Sequence, residues 1–471
     1  IPFGRNKKKD IIERYQFIEQ FRKESKQFGA QRRASETKAA EIALLNLSVR
    51  AGYEDVTRLK MTVEAQLAET YAPLMAWKEI EDVELCLQVD NEGQSRILCR
   101  KKEKELKSIP SRLSKNLYVS ALKAASKTLK EQYRRTRKMM EESMESGAGF
   151  YGSELLALFQ NPVVNAILQS LVFLYKEQFG FLKKEKDTLY LETIDRTHVP
   201  VDLEEKMILA HPFHFYQAGN WHLYQKYLFA GKIRQPFKQV FRELYTKIPE
   251  ELGLKVSRMF AGNQIQPKMT VGCLKGRRWV ADYEEGLQKI YYKENIIARI
   301  YALADWFSPA DIEAPTLEWV EFADRKTFQA LTIQEVPDLI YSEVMRDVDL
   351  AVSVAHAGGV DPESSHSTIE MRQAIVRCSL ELFGLHNVTL KESHALIQGS
   401  RANYNVHLGS GVVHQEGGAM LHILPVHSQQ RGRIFLPFVD EDPKTAEVLS
   451  KIILLAEDNK LKDPSILEQI H

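Results

Sequence analysis

Cysteine is scarce. The 471-residue chain holds four, Cys86, Cys99, Cys273 and Cys378, with no C-x-x-C pair. Thiols so spaced do not make the disulfide framework of a small secreted domain, and a reducing cytoplasm is the expected compartment. Cys86 and Cys99 flank the turn at residues 91–93 symmetrically and are expected as cross-strand neighbours that stay thiols, the other reading being a regulatory disulfide. A long apolar run is also missing. Residues 162–175 come nearest, but Asn165, Gln169 and Ser170 interrupt them, so they are too short and too polar to span a bilayer. No charged-then-apolar leader opens the chain. It begins at Ile1 rather than Met, which suggests a fragment or a processed chain.

The familiar catalytic signatures are absent as well. There is no G-x-x-x-x-G-K-[ST], no H-E-x-x-H, no G-x-S-x-G and no dinucleotide G-x-G-x-x-G after a strand. Gly409-Ser410-Gly411 is a lone glycine pair, read as a strand-ending turn rather than a phosphate cradle. Eight of the thirteen histidines lie between His356 and His427: His356, His366, His386, His394, His407, His414, His422 and His427. None forms H-x-H, and the tightest spacing in the chain is His211-x-x-His214. Hydrogen-bonded histidines rather than metal ligands are the expectation. No metal site is assigned, and the cofactor is unknown.

What the chain has is length and an ordinary composition. With 44% hydrophobic and 27% charged residues it can fill two or three globular cores. Its charge is unevenly placed. Residues 1–150 hold 30 Lys+Arg and 22 Asp+Glu, a net +8, and the remainder holds 34 and 41, a net −7. The excess concentrates in residues 96–138, with 15 basic and 3 acidic side chains. Such a block can meet nucleic-acid phosphates or an acidic surface, this chain's own included. Arg134, Arg135, Arg137 and Lys138 are the nucleic-acid-binding candidates, with Tyr133 as a stacking partner. Arg277-Arg278-Trp279 is a second place where an anion could be stacked and paired.

Periodicity predicts an α+β fold, with a helical N-terminal third followed by mixed α/β layers and a mainly antiparallel sheet. Helices are expected over 7–27, 39–51, 56–70 and 114–146, and a hairpin over 83–100. Leu117, Leu122, Ala125, Leu129, Tyr133 and Met140 form the expected buried stripe of the long helix. Asp202 is expected to cap a helix reaching residue 210, and 221–228 and 236–245 read as helices. Strands follow at 280–282, 287–292, 296–302 and 316–322. Thr332 and Glu335 fit a capping box opening a helix to residue 346, unless Pro337 marks its true start. Residues 350–355 read as an apolar strand and 367–383 as an amphipathic helix. Short strands at 388–390, 395–397, 403–408, 419–424 and 433–438 lead to a last helix over 444–456. Three domains are expected: a helical arm with a β-hairpin (1–110), a central helical and mixed domain (111–310) and a C-terminal α+β domain (311–471).

Charged residues crowd the ends of the expected strands, where an unpaired buried charge is costly. Glu343, Arg346, Asp347 and Asp349 precede the strand at 350–355. Two carboxylates and an arginine can activate a substrate, grip a phosphate or close a structural ion pair. In an extended segment Asp347 and Asp349 share one face and Arg346 takes the other. The positive group must then come from elsewhere, Arg401 being the first choice. Arg401, Asn403, Asn405 and His407 share one face of the strand at 403–408, and Tyr404 lies on the other. Asp347, Asp349, His356, Arg401 and His407, with Arg346, are the candidate catalytic residues of an enzyme acting on a nucleotide or phosphorylated ligand.

The runs AHPFHFYQAGNWHLYQKYLF at 210–229 and QPFKQVFRELY at 235–245 resemble a bacterial domain of unknown function found in MolR-type proteins. Those proteins are labelled molybdate metabolism regulators and often carry a WGR domain. SEVMRDVDL at 342–350, RANYNVHLGS at 401–410 and FLPFVDEDPKTAEVLSKIILLAED at 435–458 resemble the family's C-terminal region. The resemblance covers residues 113–470, and no WGR pattern is present. It implies a cytoplasmic interaction or regulatory module of a larger multidomain bacterial protein. Genes of the family can sit beside MoxR-type AAA ATPases and von Willebrand A proteins, which implies such partners by association. It offers no catalytic residues to carry over.

Overall fold

The chain divides into two units in the computed structural model. The first comprises residues 1–210 and 235–237, and the second residues 211–234 and 238–471. The described residues are 2–282, 286–304, 306–309, 314–359, 365–417, 420–423, 434–440 and 442–470. The fold is α+β as expected, and every strand pair among these residues is antiparallel.

The first unit opens with α1 (Lys7–Glu24), α2 (Ala30–Ala51) and α3 (Val56–Leu67). The Asn6 side chain accepts from Lys9 N at 3.1 Å, filling one of the donors a helix start leaves open. Ile11, Tyr15, Leu44, Leu47, Leu59 and Val63 form the core between the three helices. After the short α4 (Ala72–Met75) comes a four-stranded meander, β1 (Lys78–Ile80), β2 (Val83–Val89), β3 (Ser95–Lys101) and β4 (Lys104–Glu105). The β2–β3 hairpin is the expected one. Its register sets Cys86 opposite Leu98 and Cys99 opposite Leu85. The two thiols therefore point to opposite faces of the hairpin and are not the cross-strand neighbours their symmetry suggested. All four cysteines are free.

Asn116 caps the 30-residue α5 (Leu117–Ser146) by accepting from Tyr118 N at 2.8 Å. Gly147, at φ 65°, ends it in the left-handed conformation that favours glycine. Val119, Leu122, Ala125, Leu129, Tyr133, Met140 and Met144 form its buried stripe, whereas Leu117 is 88% exposed. Helices α6 (Gly152–Leu158) and α7 (Pro162–Ser170) follow. A six-stranded sheet completes the unit in the order β5 (Gly149–Tyr151), β10 (Lys206–Leu209), β6 (Val172–Tyr175), β7 (Gln178–Glu185), β8 (Thr188–Glu192), β9 (His198–Pro200). The expected helix before residue 210 is this strand β10. Met207 and Leu209 alternate inward, and Asp202 accepts from Glu204 N in a turn rather than a cap.

Helices α8 (Pro212–Ala218) and α9 (Trp221–Ala230) of the second unit are followed by irregular backbone, residues 235–237 of the first unit and then 238 onward of the second, not by the helix expected over 236–245. Residues 235–245 are all buried, the charged Lys238, Arg242 and Glu243 among them. Side chains satisfy part of this backbone in place of a helical ladder. Trp221 Nε1 donates to Val240 O at 2.6 Å and Ser367 Oγ to Leu244 O at 2.7 Å. Helix α10 (Pro267–Lys275) precedes a five-stranded sheet in the order β11 (Val256–Ser257), β16 (Leu317–Asp324), β15 (Ile296–Ala302), β14 (Gly286–Tyr291), β13 (Trp279–Asp282). Strands β12 (Asn263–Ile265) and β17 (His356–Gly359) pair separately.

Helix α11 spans Asp338–Ala355 and shares a core with that sheet, through Val344, Val348, Ala351 and Val352 against Leu287, Ile300 and Phe322. It begins just after Pro337. The Thr332–Glu335 pair, with Glu335 accepting from Thr332 N at 2.7 Å, opens only a single 3-10 turn. Residues 350–355 are its last turns, not a strand. A helix buried on several sides shows the same unbroken apolar run as a buried strand.

Helix α12 (His366–Phe383) precedes the sheet β18 (Val388–Leu390), β19 (His394–Gln398), β20 (Asn403–His407), β21 (Val413–Gln415), β22 (Met420–Leu421). Residues 434–438 are not a strand, and 433 lies outside the described residues. The closing helix Pro443–Ala456 buries Val448, Ile452, Ile453 and Leu455. Leu455 is fully buried, so Leu455→Ala should lower stability by about 2–5 kcal/mol in urea titrations. A loss within about 0.5 kcal/mol would make this helix peripheral.

A buried charge network as the candidate functional site

Helix α11 carries Glu343, Arg346, Asp347 and Asp349 inside the second unit, each under a tenth exposed. At about 100° per residue Glu343 and Asp347 leave the axis roughly 40° apart, Arg346 roughly 60° to the other side of Glu343 and Asp349 farther round. Each meets its own set of partners.

Glu343 faces Arg242, which is completely buried. Arg242 donates from Nε to Oε1 at 2.7 Å and from Nη2 to Oε2 at 2.6 Å, a two-pronged pair. His211 adds a third bond to Glu343 Oε1, at 2.9 Å. His211 Nδ1 accepts from Phe213 N at 3.1 Å, so its proton sits on Nε2 and the ring is neutral. Burial pushes the His211 pKa down, against the pull of Glu343. Burial alone would raise the Glu343 carboxyl, but Arg242 and His211 outweigh it and hold it well below the usual carboxylate range.

Arg346 donates from Nε to Glu243 Oε2 at 2.8 Å. Lys238 reaches the other oxygen of Glu243 at 2.8 Å and Asp442 Oδ2 at 2.7 Å. Burial opposes ionisation of Glu243, and Lys238 and Arg346 together still depress its pKa. Asp347 Oδ2 accepts from Lys289 Nζ at 2.7 Å and Trp279 Nε1 at 2.9 Å, while Arg277 Nη1 lies 3.2 Å from Oδ1. Burial would raise this carboxyl too, but Lys289 and Arg277 hold it lowered.

Asp349 differs. Its Oδ2 accepts from three hydroxyls, Tyr245 at 2.6 Å and Ser365 and Thr368 at 3.0 Å each. Here burial outweighs the hydroxyl bonds and its pKa rises.

Asp347 and Asp349 do not share a strand face, because the segment is helical. Arg401 is not their cation. Its backbone N donates to Asp458 Oδ2 at 2.7 Å and its Nε to Asp458 O at 3.1 Å. Ser400 N and Tyr404 OH bind the same buried carboxylate. His407 Nδ1 accepts from Ser410 N at 3.0 Å, which makes Gly409-Ser410-Gly411 a turn closing strand β20. His356 opens β17, and its side chain lies outside the described residues. Asp347 is thus bound by Lys289, Asp349 by Tyr245, Arg401 by Asp458 and His407 by Ser410, and the four are not drawn together on one ligand-sized site by these bonds. Among the described residues no group of three or more His, Cys, Asp and Glu could hold a metal ion.

Sequence reasoning missed Lys238, Arg242, Glu243, Tyr245, Lys289 and Asp442 as members of this network. One signal was available. Lys289 occupies an inward position of the alternating strand β14, between Leu287 and Tyr291, where a charge demands a counter-charge.

The basic candidates lie in the first unit, on α5. Lys123, Lys127, Lys130, Arg134 and Lys138 are exposed and fall on one side of the helix at its 3.6-residue period. Arg135 turns inward instead and donates to Glu64 Oε1 at 2.5 Å. Arg137 is half-buried. Tyr133 is 6% exposed in the core, so it is not available to stack on a base. Among the described residues no helix is long and apolar enough to cross a membrane.

Three family models match separate stretches of the chain. Residues 1–63 match a family of unknown function (DUF5724), 104–279 a domain of unknown function (DUF4132) and 369–470 a domain of unknown function (DUF7737). The chain is similar to three families of unknown function. The resemblance read in the sequence to such a domain holds, its C-terminal region included. No curated protein and no solved structure matches the chain. Helix α11 falls between the DUF4132 and DUF7737 stretches, and its hydrogen-bond partners come from the DUF4132 stretch or from the residues between the two, with Asp442 of the DUF7737 stretch joining the network through Lys238.

The two aspartates should respond differently to neutralisation. Asp347→Asn strands the buried Lys289 ammonium and should cost about 3–5 kcal/mol. Asp349→Asn keeps an acceptor for the three hydroxyls and should cost about 1 kcal/mol. Chemical denaturation of both variants checks this, and equal losses would contradict the pairing described.

Proposed function

We propose that the chain is an interaction and regulatory module of a larger multidomain bacterial protein, working in the cytoplasm with protein partners. A MoxR-type ATPase and a von Willebrand A protein are the partners to test first, on the strength of the resemblance alone. One observation carries the interaction reading. Three of the four charges of α11 are met by counter-charges from other segments of the second unit, whereas Lys123, Lys127, Lys130 and Arg134 stand on α5 with no carboxylate in ion-pair reach among the described residues. Unmatched cations in a row favour a partner that brings the opposite charge.

Nucleic acid is a second reading, and the spacing favours it. From Lys123 to Lys138 the row extends about 22 Å at 1.5 Å per residue, a length over which a nucleic-acid backbone presents several phosphates.

One set of titrations separates the two. Purified protein is mixed with labelled duplex DNA, with RNA, and with the ATPase and von Willebrand A proteins, across a salt series. Lys127→Glu combined with Arg134→Glu should weaken whichever complex forms by at least about tenfold. Nucleic-acid binding through about four phosphates should fall with a log–log salt slope of about −3 to −4. Binding to none of these, or binding that the reversal leaves unchanged, would overturn the proposal.

A further inference from the structure

We infer that a cleft among α1, α2, α3 and α5 of the first unit is a binding site for a small molecule carrying two or more phosphate charges. The cleft is separate from the exposed row on α5 and does not depend on the function proposed above.

The cavity measures about 730 Å³, within the roughly 300–1,000 Å³ of small-ligand sites. Its lining carries six cations, Arg22, Lys23, Lys26, Arg33, Lys60 and Arg135, and three carboxylates, Glu19, Glu64 and Glu131. Six minus three leaves +3 among the lining side chains, enough to meet a diphosphate.

The charges are arranged in depth. On the floor Glu64 accepts from Tyr15 OH at 3.0 Å and from Arg135 Nη2 at 2.5 Å. Glu19 binds Arg22 Nη2 at 2.6 Å and faces Lys60 Nζ at 3.5 Å. These carboxylates hold three cations in fixed positions without cancelling the charge of the site. Lys60 is only 16% exposed, and burial lowers its pKa. A second anion beside it would offset that desolvation.

At the mouth Lys23, Lys26 and Arg33 are exposed, with no carboxylate in ion-pair reach among the described residues. A guanidinium and two ammoniums exposed at the entrance, above a half-buried arginine and lysine, fit phosphate better than a single carboxylate. Enclosure by four helices limits the ligand's size. Half-buried Tyr71 lines the same cleft and offers a ring beside the anion.

The test uses the full chain with pyrophosphate and with ADP as probes, read by calorimetry and by the thermal shift that ligand binding imposes. Saturable binding at or below millimolar concentration is expected for at least one probe. Lys26→Glu combined with Arg33→Glu changes only exposed side chains and should weaken it at least tenfold. Arg135→Met should weaken it as much, provided its far-ultraviolet circular dichroism matches the wild type. Lys127→Glu with Arg134→Glu, on the outer face of α5, should leave it unchanged. No saturable binding of either probe, or unaltered binding by the Lys26/Arg33 variant, would overturn the site. Loss of binding in the Lys127/Arg134 variant would also overturn it, by moving the anion to the exposed row.

Discussion

The second unit depends on one constraint, that a charge taken out of water must meet its opposite at hydrogen-bond distance. Four ionisable side chains within seven residues of α11 are buried beside an apolar core. Left unpaired, each would cost several kcal/mol. Arg242 answers Glu343, Glu243 answers Arg346, and Lys289 with Arg277 answers Asp347. Asp349 is met by hydroxyls instead, and its raised pKa records the difference. Because the partners come from segments before and after the helix, the pairing fixes how those segments pack around it.

That pairing crosses the boundaries of the family matches. Lys238 lies in the stretch matching DUF4132 and Asp442 in the stretch matching DUF7737, and their side chains meet at 2.7 Å. Arg372, also in the latter stretch, donates to the carbonyls of Leu408 and Gly409 and to Thr445 Oγ1. The DUF7737 stretch and the DUF4132 residues from 238 onward are therefore parts of one folded unit rather than separate modules strung along the chain. The DUF4132 stretch also spans residue 210, where the chain passes from the first unit to the second.

Much of the fold was legible in the sequence, for local reasons. The β2–β3 hairpin follows from period-two alternation around Asn91-Glu92-Gly93, and Gly93 takes the positive φ that the turn requires. Helix α5 follows from its buried stripe and from Asn116 and Gly147 at its ends. What failed was decided by distant partners. Residues 350–355 are apolar enough for a strand, but they continue a helix already begun at Asp338. Residues 237, 240, 241 and 244 have helical spacing, yet Lys238, Arg242 and Glu243 are buried between them. The candidate site was legible only in part. Asp347 and Asp349 were recognisable as charges needing a partner, but those partners, Lys289 and Tyr245, lie 58 and 104 residues away, beyond any local pattern.

The central claim is that paired buried charges hold the second unit together, and Arg242 with Glu343 tests it most directly. A double-mutant cycle of Arg242→Met and Glu343→Gln, the latter keeping an acceptor for His211, can be followed by tryptophan fluorescence during urea unfolding. Four of the five tryptophans, Trp221, Trp279, Trp306 and Trp319, lie in the second unit. Each single change should cost about 3–5 kcal/mol, and the double should fall short of their sum by about 1–3 kcal/mol. Single losses below about 0.5 kcal/mol that simply add would contradict the account.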